Sequence, residues 1–313
     1  MMDATRMCWA VLALALATAP FAGSALAQLS AQSPAGQPAA GQGTKARQAP
    51  GPSLAASSGL APHRAVYEIT LDQSRSAASV TDMSGRMVYE LTGSVCEGFT
   101  QSMRFVSRMT GQDGTTGITD MRSSSWEDGL AKSFRFNSSQ FKDQKLTEST
   151  HGDAARPDVS GETKVELTRP EKKEMRLKPD VFFPIQHSIA LLSAARRGEA
   201  VFQADLYDGS EKGLKVYATT AYIGSKREPG HNKQLSAVAN AGPLDSLSSW
   251  PVSISYFESG AEKKDAVPAY ELAFLYFDNG VSRRLFIDYG DFAIRGTLKE
   301  ITFLEPSKCT PKN

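Results

Sequence analysis

From His63 onward the chain alternates between apolar and polar positions. Ala65, Tyr67, Ile69 and Leu71 fall on one face, with Arg64, Glu68, Thr70 and Asp72 on the other. A period of two carrying aromatic and β-branched residues predicts a half-buried strand. The pattern recurs at Met87, Tyr89 and Leu91, and again at Phe99, Met103, Phe105 and Met109 against Thr100, Ser102, Arg104 and Arg108. Apolar sets around Trp126, Phe134 with Phe136, Val165 with Leu167, and Met175 with Leu177 predict further strands. Gly111-Gln112-Asp113-Gly114 and Glu127-Asp128-Gly129 supply turn chemistry between them, so successive strands are expected to be antiparallel.

Phe183 to Gly198 breaks this rhythm. Pro184 near the first turn, Ile185, Ile189 and Leu192 at helical spacing, Arg196 and Arg197 in the last turn and Gly198 after it predict a helix over about 184–197, laid by its apolar face on a sheet. Strands are predicted again over 202–207, 214–223, 250–257, 270–277, 285–289 and 292–303, and Asp278-Asn279-Gly280 is the strongest hairpin turn. About a dozen strands are too many for one flat open sheet. The expected class is therefore all-β, mainly antiparallel, with a many-stranded sheet curled into a barrel, spiral or sandwich. No repeat of fixed period is present, which speaks against a propeller.

The first 60 residues follow other rules. A short basic start, an apolar run from Cys8 to Ala19 and the small residues Ala25-Leu26-Ala27 predict a secretory signal peptide over 1–27, cut between Ala27 and Gln28. The run is shorter than the roughly 20 apolar residues that span a bilayer. Residues 28–60 are rich in Ala, Gly, Pro and Gln with almost no large apolar side chains, and are expected to form a disordered leader before a single β-rich domain over 61–313. The mature chain should reside in an oxidising compartment, soluble in a bacterial periplasm.

Removing the signal removes Cys8 and leaves Cys96 and Cys309. A bridge between them would close a loop worth up to about 5 kcal/mol by chain entropy; two free thiols or an intermolecular bridge are the alternatives. The formal net charge is +1, from 35 basic and 34 acidic residues interleaved along the chain. No basic stripe exists to displace counterions, so nucleic acid is excluded as an expected partner.

Catalytic and metal motifs are sparse. His63, His151, His187 and His231 are far apart and outside any metal-binding spacing, so neither a metal nor a cofactor is expected. Packing or hydrogen bonding suits His187 better than general-base work. Ser139-Gln140-Phe141-Lys142 matches S-x-x-K, but it lies among strand signals with no K-T-G after it, which makes it a chance match. The segment Tyr207 to Gly213 is the densest polar cluster. Asp208, Ser210 and Glu211 could build a small oxygen-rich site, but its Asp-Gly and Lys-Gly steps also suit a plain hairpin loop. Aromatic strand faces, including Tyr256, Tyr270, Phe274 and Tyr276, are mostly core, although a curled sheet lined this way can leave an apolar groove.

Three stretches, Leu60-Ala61-Pro62-His63-Arg64-Ala65-Val66-Tyr67, Phe183-Pro184-Ile185-Gln186-His187 and Tyr207-Asp208-Gly209-Ser210, resemble the EipB family of periplasmic cell-envelope integrity proteins. The likeness runs from about Leu60 to the end, and Cys96 and Cys309 match the family's disulfide pair. The resemblance implies antiparallel strands wound into an open spiral or barrel-like cylinder with one short helix. It also implies a non-enzymatic role in envelope integrity and stress resistance, with a periplasmic tetratricopeptide-repeat protein as partner. The expected function is an interaction scaffold of that kind; the alternative is a carrier or sensor of lipid or lipoprotein using a groove of the curled sheet. The leader from Gln28 to Leu60 is longer than the family's pattern suggests.

Overall fold

The computed structural model describes residues 59–74, 80–230, 238–258 and 267–307. Along the chain run β1 (His63–Leu71), β2 (Val80–Ser94), β3 (Gly98–Gly111), β4 (Thr116–Glu127), β5 (Ser133–Lys142), β6 (Lys145–Ala155), β7 (Thr163–Arg169) and β8 (Lys173–Leu177). There follow α1 (Pro184–Arg196), β9 (Val201–Leu206), β10 (Tyr217–Ile223), α2 (Gly242–Asp245), β11 (Ser249–Glu258), β12 (Tyr270–Phe277), β13 (Ser282–Asp288) and β14 (Ala293–Phe303). The strands form one 14-stranded antiparallel sheet in the order β8-β7-β6-β5-β4-β3-β2-β1-β14-β13-β12-β11-β10-β9. The expected signal peptide, its cleavage site at Ala27 and Gln28, the leader as far as residue 58, and Cys309 lie outside the described residues.

Alternation explains most of the strands. Ala65, Tyr67, Ile69 and Leu71 are all buried, as are Phe99, Met103 and Phe105, while their neighbours Glu68, Thr70, Arg104 and Arg108 are exposed. β6 carried no apolar signal. Its inward positions are Thr150, Gly152 and Ala154, and Gly152 leaves no room for a Cβ between Phe136 and Leu167. A strand that presents small or hydroxyl side chains to the core has no hydrophobic period to read.

The sheet does not close edge to edge: β8 and β9 are its two ends. Other devices bring those ends together. The segment after β8 lays Phe182 beside β9, with the Phe182 N–H donating to the Asp205 carbonyl at 2.7 Å and the Tyr207 N–H to the Phe182 carbonyl at 2.9 Å. The β9–β10 loop reaches across to β5 and β7, where Gly209, at φ +74°, lies so close to the Phe136 ring that a side chain could not fit. A small core of Phe134, Phe136, Val165, Leu167, Phe183 and Tyr207 fills the space beneath. The remaining edge, β8, is only five residues long and carries Lys173, Glu174 and Arg176, which discourages strand addition.

α1 sits inside this arrangement. Pro184, Ile185, Gln186, His187, Leu191, Leu192, Ala194 and Ala195 are all buried, so the helix is enclosed on most of its circumference instead of resting one apolar face on a sheet. The expectation failed because the helix packs between both halves of the curled sheet, and only Ala and polar residues that find partners can occupy the extra buried positions. Glu127, at the end of β4, meets the helix N-terminus. Its two carboxylate oxygens accept the N–H groups of Ile185 at 2.7 Å and Gln186 at 2.9 Å, two donors that the first turn leaves unpaired. Arg156 stands beside them, donating to the carbonyls of Ala131 and Val181 and to Gln186 Oε1 at 2.6–2.7 Å, with its guanidinium 4.3 Å from the centre of the Phe183 ring. Burial pushes the Glu127 carboxyl up to about 8, against the opposing effect of the two N–H donors and the Arg156 charge.

Glu127→Ala removes the acceptor for two buried N–H groups, and is expected to cost about 2–6 kcal/mol of unfolding free energy. Glu127→Gln, which keeps one acceptor, should cost less. Urea titrations followed by tryptophan fluorescence measure both; a Glu127→Ala protein within about 1 kcal/mol of the parent would mean that the helix is held by packing alone.

Candidate functional site

The three stretches that carry the family resemblance lie far apart in the chain and meet in space. Leu60, His63 and Tyr67 from the opening strand, Pro184, Ile185 and His187 from the helix entry, and Asp208 from the β9–β10 loop all line one cavity of about 170 Å³. Its remaining wall comes from β2, β3, β11, β12 and β13, with Met87, Leu91, Ile254, Leu272 and Phe274 among the apolar contributors. The cavity exists because a long helix cannot fill a curled sheet completely. The side chains that approach α1 from β2 and from β11–β13 leave room along its Ile185 and Leu191 face.

Few polar groups enter this space, and each is held by its surroundings. His63 Nδ1 donates to the Ala61 carbonyl at 2.7 Å, and its ring stands 5.6 Å from that of Tyr89. The Thr219 hydroxyl donates to the Ala204 carbonyl at 2.7 Å and so accepts from His187 Nε2 at 3.0 Å, which assigns the proton of that imidazole. Burial lowers both histidines, His187 to about 4, so each is neutral near pH 7. His187 thus has the structural part expected of it.

The Tyr207–Gly213 segment is less ordinary than a hairpin loop. Asp208 is only 7% exposed; its Oδ1 accepts the Ser210 N–H at 2.9 Å, while Oδ2 has no hydrogen-bond partner among the described residues. Ser210 is buried as well, whereas Glu211 lies 4.0 Å from Lys215 at the surface side. The three suspected acidic and hydroxyl residues therefore do not form one oxygen-rich site: Asp208 alone reaches the cavity. Burial pushes its carboxyl up to about 7, opposed by the Ser210 hydrogen bonds. Tyr256 lines the same space, stacked at 4.3 Å on Tyr270, which packs edge-on to Tyr217 at 6.1 Å.

Other suspected positions are dispersed. Ser139 and Lys142 lie on β5, where residues three apart point to opposite faces, so the S-x-x-K match has no catalytic geometry. His151 is exposed on β6, and no group of three or more His, Cys, Asp or Glu able to hold a metal occurs among the described residues. Cys96 lies in the turn between β2 and β3. Sequence reasoning missed Glu127 and Arg156, because a buried ion beside a helix end leaves no periodic mark; Glu127 was read only as part of a turn.

Comparison with known proteins follows the same lines. A family profile described as EipB-like matches residues 54–305. The cell envelope integrity protein EipB of Brucella abortus (strain 2308) is 36% identical over 250 residues, covering 80% of this chain and 86% of its own length. The crystal structure of a beta-barrel-like protein of a domain of unknown function from Brucella abortus superposes with a TM-score of 0.70 at 34% identity, over 79% of this chain and 99% of that one.

A raised carboxyl has a definite sign. The folded protein keeps a proton on Asp208 that the unfolded chain releases near pH 3.8, so the stabilisation is full below that pH and is lost as pH rises to about 7. Asp208→Asn, which mimics the protonated form, should therefore gain melting temperature relative to the parent as pH rises from 4 to 7. Parallel melting curves across that range check it; a constant difference between the two proteins would mean that Asp208 titrates normally.

Proposed function

This chain belongs to the EipB-like family, and from that premise we propose that it supports cell-envelope integrity in the periplasm as a non-enzymatic protein that works by binding. The single observation that carries a binding role is the cavity. It is mostly apolar, it is built by the three stretches that resemble the family, and its histidines are neutral and already engaged. A nucleophile activated by a base, which hydrolytic chemistry needs, is not assembled among its described residues.

The cavity favours a carrier or sensor of an acyl chain over a scaffold that acts by its surface alone. Its size suits part of a chain, since ligand pockets for whole drug-sized molecules measure roughly 300–1,000 Å³. A scaffold role with a periplasmic tetratricopeptide-repeat partner remains compatible with this reading, the cavity then reporting on what the partner receives. Export through the signal peptide, with Gln28 as the first mature residue, belongs to the same proposal.

So does the Cys96–Cys309 bridge, and the register supports it. Phe303 faces His63 across β14 and β1, and His63 faces Leu91 across β1 and β2. β2 and β14 thus run in the same direction two strands apart, about 10 Å at usual sheet spacing. Cys96 follows Leu91 by five residues and Cys309 follows Phe303 by six. Cys96 and the described end of β14 therefore lie at the same end of the sheet, as a bridge to Cys309 would need.

A deletion strain is expected to lose viability on detergent or cell-wall antibiotic, with restoration by the exported chain; growth equal to the parent under both stresses would remove the envelope role. Protein purified from its native periplasm should release acyl-chain material into organic solvent, detectable by mass spectrometry, and repeated absence would return the surface scaffold to first place. Thiol labelling of the mature protein under denaturing, non-reducing conditions should find no free thiol. Two labelled cysteines would exclude the bridge.

A further inference from the structure

Apart from the hydroxyls of Tyr89, Tyr256 and Ser282, which can donate or accept, the unengaged polar groups described in the cavity are acceptors. Asp208 is the acidic residue of its lining, and no lysine or arginine lines it. Asp208 Oδ2 and Gln101 Oε1 are both buried without a hydrogen-bond partner, while Gln101 Nε2 is spent on the Tyr89 hydroxyl at 2.9 Å. His63 and His187 use their N–H groups on protein acceptors, which leaves His63 Nε2 and His187 Nδ1 as acceptors too. A carboxylate or phosphate entering here would meet hydroxyls as its donors and no cation among the described residues to balance it, at the cost of a buried unpaired charge. A group that brings both positive charge and N–H donors meets the opposite situation. Tyr256 is in the same lining, with one ring face stacked on Tyr270.

We propose that the cavity binds an amphiphile whose polar end is a protonated amine, with the ammonium on Asp208 and an apolar segment along Ile185, Leu191, Ile254 and Leu272. The inference rests on the reading of the cavity as a binding site and adds the chemistry of what it takes. The apolar part is bounded by size: a cavity near 150 Å³ holds a benzene-sized group, so about 170 Å³ takes a segment of roughly six to eight carbons. A lipid headgroup and a free alkylamine share this recognition.

The test compares three ligands of equal chain length, octylamine, octanoate and 1-octanol, by isothermal titration calorimetry on the mature chain at pH 7. Octylamine is expected to bind about tenfold or more tightly than octanoate, the range of a charge-assisted hydrogen bond. Asp208→Asn should abolish that preference. Equal or tighter binding of octanoate, or an Asp208→Asn protein with unaltered octylamine affinity, overturns the inference. If 1-octanol binds without any amine preference, the cavity reading survives and the inference alone fails; if none of the three binds, both fail. Should Asp208→Asn fold poorly, the amine-to-carboxylate ratio on the parent protein still decides. Vesicles carrying an amine headgroup, compared with vesicles carrying an anionic one, then separate a lipid source from a free amine.

Discussion

The structure turns on how a sheet with two ends is made to behave as a cylinder. β8 and β9 do not pair, and the seam between them is bridged instead by the Phe182 segment, hydrogen-bonded to Asp205 and Tyr207, and by the β9–β10 loop. α1 begins directly after that segment and is held at its N-terminus by the Glu127 carboxyl and the Arg156 guanidinium. Two ionisable groups taken out of water are costly unless every lone pair and proton finds a partner. Here the helix end supplies the N–H donors and the chain around it supplies the carbonyls. The arrangement is available only when β4, β6 and the α1 entry come together, which couples closure of the cylinder to placement of the helix.

The cavity inherits this dependence. One wall is α1 itself, so whatever fixes the helix fixes the shape of the space beside it. The loop that delivers Asp208 is held by a different contact, the approach of Gly209 and Gly213 to Phe136 and Leu167 on the opposite half of the sheet. Asp208 is thereby buried with one oxygen satisfied and one not, a state that an exposed hairpin loop would never impose.

Much of the architecture was legible in the chain because strand burial repeats every two residues. Tyr67, Phe105 and Leu275 mark their strands by alternation or by apolar runs, and Asn279-Gly280 marks its turn through the positive φ of Gly280. β6 was not legible, since Thr150, Gly152 and Ala154 face inward without hydrophobicity. α1 was legible as a helix from Pro184 and Gly198 but not as an enclosed one. Its polar buried residues, Gln186 and His187, look solvent-facing until Arg156 and Thr219 are placed against them.

Local chemistry in the sequence thus determined most of the strands and turns, the helix after β8 and the likeness to a family of envelope proteins, because each depends on residues near one another in the chain. Only the tertiary structure decided which polar residues matter. Glu127 and Ile185 are 58 positions apart and meet at 2.7 Å. Leu60, His187 and Asp208 share one cavity for the same reason. A charge acquires its role from burial and from partners, and both are set when the ends of the sheet are brought together, a step that no local pattern of residues encodes.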